Sequence, residues 1–157
     1  MTDAQEDARY VDLALVEARR AADAGEVPIG AVVVLDGMVI ARAHNAPITL
    51  HDPTAHAEVL ALRAAARETG NYRLERTSVY TTVEPCLMCC GALVHARVAR
   101  LVYGAADPKA GAVQTLFQML ADRRLNHQAQ TVPGVLADQC GAMLSRFFEA
   151  QRRLGKK

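Results

Sequence analysis

Two rhythms of apolar residues alternate along the chain. Over residues 7–24, Tyr10, Leu13, Ala14, Glu17, Ala18 and Ala21 recur at helical spacing, and Gly25 supplies a stop. Two short apolar runs follow, 29–35 and 38–43, joined by Asp36-Gly37. Asp-Gly between β-branched runs predicts a hairpin with a two-residue turn, whose central positions need positive φ. Pro47 and Pro53 bracket a predicted loop, and a helix follows over 54–69, ended by Gly70-Asn71. Residues 78–83 predict a buried strand. Pro85 then opens a helix reaching about Ala96, a position where its missing N–H is not needed. A third buried strand covers 101–103 and is closed by Gly104.

The remaining third is less regular. Residues 105–126 predict a loop with a short helix over 113–120, and 129–132 an edge strand before Pro133-Gly134. The last helix, 135–153, carries Leu136, Cys140, Met143, Leu144, Phe147 and Phe148 on one stripe. A helix, a hairpin and then alternating strands and helices predict a three-layer α/β/α sandwich around a central mixed sheet of about five strands. No repeat, low-complexity stretch or linker divides the chain, so one domain over 1–157 is expected.

Composition narrows the class. With 157 residues, 51% of them hydrophobic, the chain can bury a core without disulfide staples. A mean hydropathy near zero excludes a disordered tail or a fibre. The longest strongly apolar run, 29–35, is too short for a membrane span, and the first seven residues are acidic where a secretory signal would be basic. A cytoplasmic domain with no membrane partner is the expectation. Only Ser78 and Ser145 are serines, neither within Gly-x-Ser-x-Gly, and no phosphate-cradling glycine loop occurs. Net charge is +1 but uneven: residues 1–26 carry −4, the last twelve +4. A basic C-terminus suits either phosphate binding or a solvated helix end.

Cys86, Cys89 and Cys90 fall within five consecutive positions, with Cys140 alone. Crowding of this kind makes a poor disulfide framework and points to metal binding or catalysis. Cys86 and Cys89 share a helix face, and thiolates at a helix N-terminus gain from its dipole. With His56 they make three ligands for a tetrahedral zinc, leaving a fourth position for water. Singly each residue is ordinary: His56 suits a surface helix start, Glu58 a dipole partner, Cys-x-x-Cys a redox pair. Together, in order, His56-Ala57-Glu58 and Pro85-Cys86-Leu87-Met88-Cys89 match the zinc deaminase signature, in which the Glu is general acid/base rather than ligand. Cys90 and Cys140 are expected to be packing residues.

The resemblance extends well beyond that signature. Glu26-Val27-Pro28-Ile29-Gly30, His44-Asn45-Ala46-Pro47, Asp52-Pro53-Thr54-Ala55-His56-Ala57-Glu58, Asn71-Tyr72-Arg73-Leu74, Thr82-Val83-Glu84-Pro85-Cys86, Asp107-Pro108-Lys109-Ala110-Gly111 and Phe147-Phe148 resemble the bacterial tRNA-specific adenosine deaminases, of the cytidine deaminase-like superfamily. The resemblance implies hydrolytic deamination of adenosine to inosine at the wobble position of an arginine tRNA. It implies one Zn2+ per subunit on His56, Cys86 and Cys89, and Glu58 as the proton shuttle between water, the purine ring and the leaving ammonia. It also implies a homodimer that takes the tRNA anticodon stem-loop.

Substrate positions carry over residue by residue. Asn45 matches the hydrogen-bonding partner of the target nucleotide, although a turn former before Pro47 would look the same. Val27, Pro47 and Ile48 match walls of the base pocket, and Ala57 joins the expected substrate contacts. Asp107 and Lys109 match a loop near the RNA backbone. Phe148 and Arg152, with Arg153, match a helix that meets the anticodon loop, while core packing is the ordinary role of a Phe pair. A deaminase of a free base or nucleoside, such as guanine or cytidine, shares the zinc motif and differs in pocket shape. A structural-zinc RNA-binding module would have no use for Glu58, and a redox thiol protein none for His56 or Glu58.

Overall fold

A computed structural model describes residues 1–156. Its element order is α1 (Asp3–Asp23), β1 (Gly30–Leu35), β2 (Met38–His44), α2 (Pro47–Leu50), α3 (Ala57–Thr69), β3 (Thr77–Val83), α4 (Leu87–Ala96), β4 (Arg100–Ala105), a 3-10 turn (Met119–Ala121), β5 (Gln130–Val132) and α5 (Ala137–Arg153). The strands form one mixed sheet in the order β2-β1-β3-β4-β5. β1 pairs antiparallel with β2 and β3, whereas β3, β4 and β5 run parallel. This is the expected three-layer sandwich.

Period-two alternation along the strands builds both cores. Ala31, Val33, Val79, Leu101 and Tyr103 face α3 and α4. Val32, Val34, Tyr80 and Val102 face α1 and α5. Each fully buried Val or Leu contributes about 1.5–3 kcal/mol of burial. The hairpin turn is as expected, with Asp36 at φ 50° and Gly37 at φ 77°. Because β3 and β4 are parallel, their C-terminal ends open on the same side of the sheet, where α4 begins and residues 106–118 cross over.

Several expectations needed correction. Helix α3 begins at Ala57 rather than residue 54, with His56 as its N-cap, and α4 begins at Leu87 with Cys86 as its N-cap, so Pro85 precedes the helix instead of opening it. Helix α1 begins at Asp3 rather than Asp7, because Thr2 and Gln5 form a reciprocal capping box. The loop bracketed by Pro47 and Pro53 contains α2, a single turn whose N-cap, Ala46, offers no side chain. Its cap comes from afar: the Glu26 carboxylate accepts N–H bonds from Ile48 at 3.2 Å and Thr49 at 2.7 Å. The helix predicted over 113–120 is absent; the amides of Val113, Gln114 and Thr115 converge on the Glu84 carboxylate instead. Finally, α5 starts at Ala137, since Leu136 takes a left-handed conformation at φ 54°. No helix among the described residues is long and apolar enough to cross a membrane.

Candidate active site

The N-termini of α3 and α4 converge on one point. His56 is the N-cap of α3 and Cys86 the N-cap of α4, both with extended backbone. Neither side chain caps its own helix, so the imidazole and thiol are left to face each other. His56 Nδ1 lies 3.5 Å from Cys86 Sγ and 3.4 Å from Cys89 Sγ. All three ligand-type atoms fall within 4.8 Å of one another. Tetrahedral zinc with its usual bonds to N and S spaces ligand atoms roughly 3.6 Å apart, so the group fits such an ion. Both helix dipoles present their positive ends here, which favours thiolates. Cys90 is fully buried and outside the triad; its thiol donates to the Pro85 carbonyl at 3.7 Å.

The charges are polarised accordingly. A hydrogen bond from Cys89, and then the His56 ring, hold the Cys86 thiol at about 4 against the cost of burial. Cys89 is pushed up, first by its bond to Cys86 and then by burial. The Cys86 hydrogen bond raises His56. Glu58, in the first turn of α3 and 4% exposed, is raised chiefly by burial and further by the Cys86 charge. A carboxyl held above its ordinary value beside a cation site can both take and return a proton.

Other predicted positions separate into those brought together and those left apart. Asn45 is buried, and its Oδ1 accepts the Ala57 N–H at 2.8 Å, tying the end of β2 to the start of α3. Its Nδ2 has no protein partner among the described residues. Val27, Asp107, Lys109 and Phe148 line one groove of about 490 Å³, bounded below by Val83 and Ala105 at the strand ends. The Asp107 carboxylate accepts from the N–H groups of Lys109 and Ala110, so it shapes the turn that presents Lys109. Phe147 is half-buried and meets the exposed Phe148 edge-on at 5.5 Å. Arg152 lies exposed one turn beyond Phe148 on α5. Pro47 and the exposed Ile48 sit on α2, apart from that groove.

Two residues were not singled out from the sequence. Glu26, 1% exposed, holds α2 through Ile48 and Thr49. Glu84, 3% exposed, gathers the N–H groups of Asp107, Val113, Gln114 and Thr115 and the Thr115 hydroxyl. The signal that could have found Glu84 is an ionisable residue closing an apolar strand directly before Pro85-Cys86. Such a carboxylate cannot stay buried without several donors.

Comparison with known proteins bears directly on this site. The family model of MafB19-like deaminases matches residues 5–152. A tRNA-specific adenosine deaminase of Bacillus subtilis (strain 168) is 48% identical over 151 residues, covering 96% of this chain and 94% of that protein. A solved structure from work on A-to-I editing by tRNA:A34 deaminases at the wobble position superimposes with a TM-score of 0.84 at 44% identity, covering 87% of this chain and 99% of that one. A guanine deaminase from Nitrosomonas europaea shares the architecture at a TM-score of 0.74 and 25% identity, covering 89% of this chain and 83% of that one. Identity near one half, sustained over almost the full length, separates these likenesses: the chain belongs to the tRNA-specific adenosine deaminase family.

Proposed function

We propose that this protein deaminates adenosine to inosine at the wobble position of an arginine tRNA, consuming water and releasing ammonia. The observation that carries the reading is the buried Glu58 beside the His56, Cys86 and Cys89 cluster in a chain of this family. The three ligands hold one Zn2+ per subunit, within a single deaminase domain spanning 1–157. Bound there, the ion supplies Lewis acidity that draws the pKa of water toward neutrality.

The chain's own residues do the rest. Glu58 accepts a proton from the attacking water, delivers it to a ring nitrogen of the purine, and carries a second proton to the departing amine. Its raised affinity for protons suits that return step. Asn45, with Oδ1 committed to Ala57, directs its Nδ2 donors at an acceptor of the target nucleotide. Val27 walls the base within the groove, Pro47 and Ile48 meet the nucleotide from α2 outside it, and Ala57 contributes through its N–H bond to Asn45. Asp107 shapes the turn from which Lys109 meets a phosphate. Phe148 stacks on an anticodon-loop base while Arg152 offsets backbone charge.

Exposed Leu87, Leu116 and Phe117, on segments flanking Cys86, support a homodimer. The cytoplasm, where tRNA is modified, is the matching compartment. The test is inosine formation by the metal-loaded protein on an arginine anticodon stem-loop with a wobble adenosine, run beside free adenosine, guanine and cytidine. Inosine in the RNA alone supports the proposal. Turnover of guanine with the RNA untouched would transfer it to the activity named for the Nitrosomonas relative, whose fold is shared.

A further inference from the structure

The segment 107–115 is fastened to the cysteine turn at three places. Gly111 bridges Cys86 in an isolated β-type contact. The Ala112 N–H donates to the Pro85 carbonyl at 2.9 Å. Between them lies the Glu84 carboxylate, which accepts from Asp107 N–H at 3.1 Å, Val113 N–H at 3.1 Å, Gln114 N–H at 2.9 Å, Thr115 N–H at 3.0 Å and the Thr115 hydroxyl. A Cβ at Gly111 would collide with that carboxylate, so glycine is what lets the loop close on it. Both Glu84 oxygens are thereby filled, with no position left for a substrate or a proton-transfer role.

We infer that Glu84 is a positioning residue, which locks the Lys109-bearing loop to the Cys86 turn so that the substrate groove and the cation cluster share one rigid frame. This rests on the proposed activity for its consequence but not for its geometry. Glu84 is one residue from Pro85 in the chain, and the loop it holds supplies Asp107 and Lys109 to the groove. Release of the lock frees Lys109 and its turn while His56, Cys86 and Cys89 keep their helix-end positions. The expected signature is weakened binding rather than lost chemistry, because contacts made equally by bound substrate and transition state set KM.

Glu84→Gln tests it, since an amide NH2 set among N–H donors cannot replace a carboxylate oxygen. Amide hydrogen exchange on the metal-loaded protein, without RNA, should show residues 107–115 losing protection at least about tenfold while β1 and β3 keep theirs. Steady-state kinetics on the anticodon stem-loop should show KM rising about tenfold with kcat within about threefold and metal content unchanged. Thr115→Val, which removes only the hydroxyl donor, and Gly111→Ala, which strikes the carboxylate from the loop side, should move the same two readouts in the same direction. If Glu84→Gln does not fold, those two variants decide.

Unchanged exchange at 107–115 in the folded variants would overturn the lock. A fall in kcat at constant KM and full metal content would overturn its role in substrate positioning. If the parent protein leaves the RNA unmodified, the functional reading fails, and exchange alone still decides whether Glu84 holds the loop.

Discussion

Glu58 and Glu84 are almost equally hidden, at 4% and 3% exposure, yet their carboxyls are moved in opposite directions. Burial pushes both up. At Glu84 the N–H groups of Gln114, Thr115 and Asp107 and the Thr115 hydroxyl outweigh burial, and the group sits below its ordinary value. At Glu58 only its own N–H, the Cys89 thiol and the neighbouring His56 oppose burial and the Cys86 charge, and it sits above. The difference lies in the supply of donors. A carboxylate saturated with donors is a fixed anion that organises backbone, whereas one starved of them is poised to exchange a proton.

Several measurements would break or sharpen that contrast. The largest effect is expected at Glu58. Glu58→Ala should lower kcat by about 10³-fold or more, the range of general acid–base catalysis, with the metal still bound by elemental analysis. Substantial turnover in that variant would sink the shuttle assignment. Next comes the cation cluster: Cys86→Ala, or prolonged chelation of the parent, should remove the metal and reduce activity to background. Readdition of Zn2+ should restore only the chelated parent.

A third buried carboxylate, distant from the site, separates stability from chemistry. Asp7 accepts two bonds from Arg100 at 2.6 and 2.7 Å and one from the Tyr80 hydroxyl at 3.2 Å. Asp7→Ala strands Arg100 and should cost about 3 kcal/mol in urea unfolding, leaving kcat of the folded enzyme unchanged. A fall in kcat per folded molecule would show that the far end of the sheet reaches the site. Glu26→Gln should have the smallest effect, about 1–2 kcal/mol, through loss of the α2 cap. Burial raises Glu26, but the Thr49 hydroxyl and the Thr49 and Ile48 amides bring it below its ordinary value. Its stabilisation is therefore full above the unfolded carboxylate pKa and fades as pH falls through the lower folded value. The variant's stability–pH curve should be flatter on the acid side, and a parallel curve would show that the charge does not matter.

Much of the architecture was legible because it is encoded locally. Alternating β-branched runs specify strands, Asp36-Gly37 specifies a turn through its own φ preferences, and the helix stripes specify their buried faces. The cation cluster was legible for the same reason, since the spacing of Cys86 and Cys89 and the order His56-Ala57-Glu58 are properties of adjacent residues. What escaped is what long-range donors decide. Helix α2 exists because Glu26, more than twenty residues earlier, caps it, and the helix expected over 113–120 is replaced by turns because Glu84 collects its amides.

The linear order of residues thus determined the strands, the longer helices and the residue types of the cation cluster, because strand alternation, helix stripes and the His56-Ala57-Glu58 and Cys86-Leu87-Met88-Cys89 spacings are each written within a few positions. Tertiary structure alone decided which buried carboxyl is held above its ordinary value and which is saturated by backbone donors and held below it. That choice depends on the number of N–H groups aimed at each oxygen, and those groups arrive from segments that only the closed fold brings within hydrogen-bonding distance.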